Sequence, residues 1–311
     1  MTKDFIILQK KLLLIQILMI LISLPLEAAI TRVVVTKTEL YLDGRTFGNT
    51  GSYLRLTGQF YGETDPDDPL NSVIQDIRLA PVNEKGMVEY VSDFVILRPA
   101  DMEKSNGLLF LSLPNRGNIF PADSVLLSRG YIYLWCAWQG DVLRGGNRLT
   151  MRVPYASEDG GEIAGLLRTE FQVSTETKTL DLSSGFFSGQ THHSYETVSI
   201  DNSGSRLTRR VLESDPREPV PNTEWAFSDC SKLRYPGVPN PSKISMANGF
   251  QPGYIYELIY MAKNPLVLGL GLAAVRDITS FLRNEKEDES GFPNPLINIE
   301  KGINPVKAAV M

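Results

Sequence analysis

Two short apolar runs restrict the fold of this chain more than any other feature. Gly107-Leu108-Leu109-Phe110-Leu111-Ser112-Leu113 and Tyr131-Ile132-Tyr133-Leu134-Trp135-Cys136-Ala137-Trp138 lack the polar alternation of a strand with one wet face, and they are short for helices. Such runs suit strands covered on both faces of a parallel sheet. Between them lie the loop Pro114-Asn115-Arg116-Gly117-Asn118 and a short helical piece, Ala122 to Ser128, ended by Gly130. Strand, crossover and strand make one α/β unit, so the expected fold class is α/β. Cys136, in the middle of the second run, reads as a small buried hydrophobe rather than a nucleophile.

The segments on either side are extended in character. Residues 30–100 carry β-branched and aromatic stretches, such as Arg32-Val33-Val34-Val35 and Tyr53 to Tyr61, punctuated by glycines, and form a β-rich N-terminal region. Asp65-Pro66-Asp67-Asp68-Pro69 reads as a solvated turn, because the spacing of a calcium loop is missing and two prolines stiffen the backbone. Residues 143–246 are short strand-like pieces between Gly, Ser, Asn and Pro clusters, a β-rich insertion that divides the α/β part into 101–142 and 247–311. His192 and His193 lie in it, but neighbours on a strand point to opposite faces and no further ligands stand at metal spacing.

After the insertion, Asn264-Pro265 is expected to open a helix running to Leu282. Val267, Leu270, Gly271, Ala274, Val275, Ile278, Phe281 and Leu282 share its apolar face, and Arg276, Asp277, Thr279, Ser280 and Arg283 its polar one. Gly269-Leu270-Gly271-Leu272-Ala273-Ala274 matches G-x-G-x-x-A, yet residues 261–268 separate it from the preceding strand, so it reads as close helix packing rather than a dinucleotide loop. Val306 to Val310 begins another strand.

Composition narrows the partners. A net charge of −5 advertises no basic face for nucleic acid. Two cysteines, Cys136 and Cys230, are too few for a disulfide scaffold or a four-thiolate zinc site, and are left open as paired or free. Residues 1–28, with Lys3, Lys10 and Lys11 ahead of an apolar run from Leu12 to Leu26 and Ala28-Ala29 after it, read as a secretory signal peptide. The expected location is therefore secreted or periplasmic, without a stable membrane span after cleavage; an N-terminal membrane anchor is the alternative.

Several blocks together resemble a large α/β-hydrolase-domain family of mostly uncharacterised, often exported proteins. They are Ile30-Thr31-Arg32, Asp43-Gly44, Phe47-Gly48, Asp65 to Asn71, Ile74 to Asp76, Ala80-Pro81, Asn115-Arg116-Gly117-Asn118, Trp138-Gln139-Gly140-Asp141, Trp225-Ala226-Phe227, Gly249 to Leu258 and Gly269 to Asp277. The resemblance implies an incomplete α/β-hydrolase-type sheet and, in complete relatives, hydrolysis of ester or related acyl bonds of small molecules by a serine within G-x-S-x-G, with no cofactor. No G-x-S-x-G occurs in this sequence, so the expectation is a truncated, inactive member lacking the catalytic Ser, Asp or Glu, and His. By the same resemblance Asn115, Arg116 and Gly117 are the candidates for an oxyanion-binding loop. The rival expectation is a secreted noncatalytic β-rich module offering Trp225, Phe186, Phe187 and Tyr195 to a ligand, although such aromatics more often form core.

Overall fold

The structure is a computed structural model and describes residues 30–183, 192, 194–297 and 306–310; the signal-peptide reading falls on residues outside these. The chain opens with Ile30–Leu40 (β1), Tyr53–Thr64 (β2) and Val88–Pro99 (β3), each antiparallel to the next. Buried and part-exposed residues alternate along most of β2, so one period-two pattern places Leu56, Gly58 and Phe60 on one face and Arg55, Thr57 and Gln59 on the other. The two apolar runs become Leu108–Leu111 (β4) and Ile132–Cys136 (β5), joined through Ser124–Ser128 (α1). Asp123 starts that helix by accepting the Val125 N–H at 2.7 Å. Met151–Arg152 (β6) returns to pair with β3.

A second group of strands follows. Ser157–Glu158 (β7) and Gly161–Glu162 (β8) form a small hairpin ahead of Ala164–Phe171 (β9) and Thr177–Asp181 (β10). Arg206–Arg210 (β11), Glu218–Val220 (β12), Trp225–Ala226 (β13), Ser228–Asp229 (β14), Val238–Pro239 (β15), Lys243–Phe250 (β16) and Ile255–Lys263 (β17) complete the group. The order β12-β11-β17-β9 makes one antiparallel sheet and β10-β16-β13 another. Leu270–Asn284 (α2) and Ala308–Val310 (β18) close the chain, and the first sheet then runs β1-β2-β3-β5-β4-β18.

This architecture overturns the expected α/β class and the incomplete α/β-hydrolase-type sheet. Among the described residues strand accounts for 39% against 16% helix, with two α-helices and several small antiparallel sheets. Parallel pairing among the described residues is confined to β4 with β5 and with β18. The two apolar runs do lie beside each other as parallel strands, but they form a short patch in a molecule whose alternating, β-branched segments pair antiparallel.

Two apolar cores result. In the first, α2 lies across the meander, and Leu270, Ala274, Ile278, Phe281 and Leu282 meet Phe60, Tyr90 and Phe94 within one buried cluster. The second gathers Phe171, Trp225, Phe227, Phe250, Tyr256 and Tyr260, so Trp225 is a core residue with no exposed surface. It extends to Ala262, which places β16 and β17 with the insertion strands. Glu257, 3% exposed, sits there among Arg168, Arg210 and Arg217, whose nitrogens lie 2.8–3.3 Å from its oxygens. Both cysteines are free; burial alone pushes the Cys136 thiol up to about 12, in keeping with a core role.

The helix begins later than its proline suggested. Asn264 takes a left-handed φ of 58°, and residues 265–267 continue as extended chain that hydrogen-bonds to Pro154 and Ala156. Asn-Pro is a turn here because proline disfavours a helical residue before it and asparagine tolerates the left-handed region. Asp277, expected on the polar face, is 4% exposed. It accepts the Tyr90 hydroxyl at 2.7 Å and Arg276 Nε at 2.6 Å, and Arg276 Nη1 reaches Asn71 Oδ1 at 3.0 Å. At the far end of α2 the Asn294 amide donates to the carbonyls of Phe281, Leu282 and Glu285, capping the last turn. Nearby, Asp288 Oδ2 accepts the Val33 N–H of the outermost strand at 2.8 Å, close to two irregularities in the β1 register. No helix among the described residues is long and apolar enough to cross a membrane.

Candidate functional site

The Asn115–Gly117 turn stands where β4 ends, beside the Trp138–Asp141 segment that follows β5. Crevices at the carboxyl ends of parallel strands are common ligand positions, and this turn borders one. It is tightly held. Trp138 Nε1 donates to the Pro114 carbonyl at 3.0 Å, and the Arg116 N–H donates to Gln139 Oε1 at 2.8 Å. Arg116 Nη1 meets Asp141 Oδ2 at 2.7 Å, with the two side chains 34% and 16% exposed.

Gly117 has φ of 74°, and a Cβ there would stand 2.3 Å from the Leu149 carbonyl oxygen. Only glycine fits that approach, which the Leu149 N–H to Gly117 carbonyl bond of 2.9 Å fastens. The close approach that Gly117 permits is thus to the chain's own Arg148 and Leu149. Of the three oxyanion-loop candidates, Asn115 is exposed, the Arg116 amide is occupied by Gln139, and Gly117 is a packing residue. The partner of Arg116 is Asp141, a residue of the same loop pair.

Open space lies instead between the two cores. One cavity of about 270 Å³ is walled by Ile163 to Leu167, Ala262 and Pro265; a second, of about 350 Å³, is walled by Tyr155, Asp181, Ser194, Glu196, Ser242 and Asn264. Tyr195 and Lys263 line both, so the two cavities adjoin as a cleft with a mainly apolar arm and a polar arm. Lys263 Nζ is 3.1 Å from Glu162 Oε1, and Glu196 Oε1 accepts the Ser242 hydroxyl at 3.2 Å. Burial raises the Tyr195 phenol above its ordinary value, the Leu266 amide opposes this, and the nearby Asp141 charge adds to the rise.

Of the aromatics proposed for a ligand, Tyr195 reaches the cleft, Trp225 does not, and Phe186 and Phe187 lie outside the described residues. Val142 pairs with His192 through the backbone, which brings the insertion down onto the loop after β5; His193 is outside the described residues. Lys263, Asn264 and Tyr155 escaped the sequence reading. The signal was the Asn264-Pro265 pair, which marks a turn as readily as a helix start. No group of three His, Cys, Asp or Glu among the described residues is placed to hold a metal ion. Compared with known proteins, the chain matches no family model and no curated sequence.

Proposed function

We propose that the protein binds a small hydroxyl-bearing molecule with an apolar flank in the cleft between its two cores. The observation that carries this reading is the meeting of an apolar and a polar cavity at Tyr195 and Lys263. Their sizes fall in the range of small-molecule sites, roughly 300–1,000 Å³, once the two arms are taken as one space. Asp181, Glu196, Ser194 and Ser242 supply acceptors and hydroxyls for a polar head, and the acidic excess over Lys263 disfavours an anionic one. Leu167, Ala262 and Pro265 supply the wall for an alkyl or aromatic flank.

Octyl glucoside below its micellar concentration is a suitable probe, followed by titration calorimetry. Saturable binding is expected, with glucose and octanol each much weaker. Gly165 lines the apolar arm, and a Cβ there meets nothing within 4 Å, so Gly165→Phe fills the space without a backbone clash. That variant should bind at least tenfold more weakly. Equal affinity, or heats that never saturate, would remove the cleft from consideration.

A second reading, kinship with acyl hydrolases, is favoured by one observation: the Asn115–Gly117 turn sits at the carboxyl end of β4, between parallel strands. With no G-x-S-x-G in the sequence, this reading expects no turnover of p-nitrophenyl esters and no serine labelled by a fluorophosphonate. Labelling of a single serine in the folded protein would instead identify a nucleophile outside that motif.

A further inference from the structure

A separate groove lies over the face of β2 and β3 turned away from α2. It has a volume of about 400 Å³, and Arg55, Arg144 and Arg148 line it with Asp93 and Ile119. Charge there runs against the acidic balance of the whole chain: three guanidinium groups face one carboxylate. That carboxylate is already engaged. Asp93 Oδ1 accepts Gln59 Nε2 at 2.7 Å, and Oδ2 accepts both the N–H and the hydroxyl of Thr150 at 2.8 Å. Arg144 approaches Asp93 Oδ2 only to 3.9 Å, with its side chain 67% exposed.

Arg148 donates from Nη1 to the Leu143 carbonyl at 3.3 Å. Arg55 is the most telling member. Its Nε is buried with no hydrogen-bond partner among the described residues. Glu39, its neighbour across β1 and β2, is held by Lys37 at 2.7 Å and shares its charge between Lys37 and Arg55. Guanidinium groups that line a groove with so little carboxylate beside them are best matched by an oxyanion.

We infer that this groove binds a small polyvalent oxyanion, phosphate- or carboxylate-bearing, between Arg55, Arg144 and Arg148. Guanidinium forks match both chemistries in two-pronged geometry, and three of them around one space favour more than one negative charge on the ligand. The groove is distinct from the cleft between the cores, with which it shares no lining residue.

Calorimetric titration of the full chain at low ionic strength with inorganic phosphate, and separately with citrate, tests the inference. Saturable one-to-one binding of at least one anion is expected, weakening as sodium chloride is added. The stronger of the two identifies the chemistry. Arg144→Gln, on an exposed side chain that the fold does not need, should weaken binding about tenfold or more, from the loss of one charge-assisted contact. Arg55→Met should do the same if the variant keeps a cooperative melt, and Arg144→Lys should recover only part of the affinity. Gly165→Phe should bind these anions like the wild type, which separates failure here from failure of the cleft. No binding of either anion, or equal affinity in Arg144→Gln and the wild type, would overturn the inference.

Discussion

Gly271→Ala is expected to destabilise the protein by about 3 kcal/mol, the upper part of the range for forced overpacking in a core. A methyl group at this position, in the first turn of α2, would lie 1.7 Å from the Trp138 carbonyl oxygen and 2.6 Å from its carbon. The obstacle is backbone, so no rotamer change relieves it, and either the helix start or the segment after β5 must move. Helix propensity acts in the other direction, because alanine is favoured over glycine by about 1 kcal/mol inside a helix. The overlap decides the sign. Gly269→Ala is the control: there a Cβ would meet Ile74 Cγ2 at 3.0 Å and no backbone atom closer than 3.4 Å, and a cost of about 1 kcal/mol is expected. Urea midpoints of the two variants make the comparison, and equal stability of Gly271→Ala and the wild type would mean that α2 does not sit this close.

The second large effect concerns the Tyr90–Asp277 pair. Asp277→Ala removes the acceptor of a buried hydroxyl and leaves a small void under α2, with an expected cost of about 2–3 kcal/mol. Arg276 is half-exposed and can turn to water, so its loss of a partner adds little. Tyr90→Phe removes only the donor and should cost roughly 1 kcal/mol. The double variant should cost less than the sum, since the two share one bond.

The same phenol sets an alkaline limit. Burial, followed by the Asp277 charge and hydrogen bond, raises the Tyr90 pKa well above its ordinary value of 10. A raised folded-state value means that the contribution is fully present below pH 10 and is lost as pH rises from there toward the folded value. The loss from Tyr90 amounts to roughly 1.4 kcal/mol per pH unit while the unfolded chain alone is ionised. Tyr53 and Tyr260 shift in the same direction, mainly by burial. Melting temperature should therefore fall steeply above pH 10 and less steeply in Tyr90→Phe. Parallel curves would contradict the assignment.

What the sequence disclosed follows from what periodicity encodes. Alternation located β1, β2 and β3, the apolar runs located β4 and β5, and the spacing of Leu270, Ala274, Ile278 and Phe281 identified the buried face of α2. Periodicity says which face is covered, not by what, so the short parallel patch was extended in expectation to the class of the whole fold. Asp277 was misplaced for a related reason: a carboxylate on a helix edge is buried when one tyrosine and one arginine converge on it, and those partners lie far off in sequence. At the candidate site, the resemblance put Gly117 in an oxyanion-binding loop, but the group that approaches it is the Leu149 carbonyl. The cleft was not legible, because Tyr155, Tyr195 and Lys263 come together only when the insertion folds back along β17.

The carboxylate of Asp288 on the Val33 amide bears on how copies of this chain meet one another. An outer strand with open amides is a template for self-association. Here one rung is already filled from within, by a group whose negative charge also repels an incoming carbonyl row, and the irregular register of β1 spoils the flat ladder on either side. This rim of the sheet therefore offers a neighbouring copy an interrupted ladder rather than a continuous one.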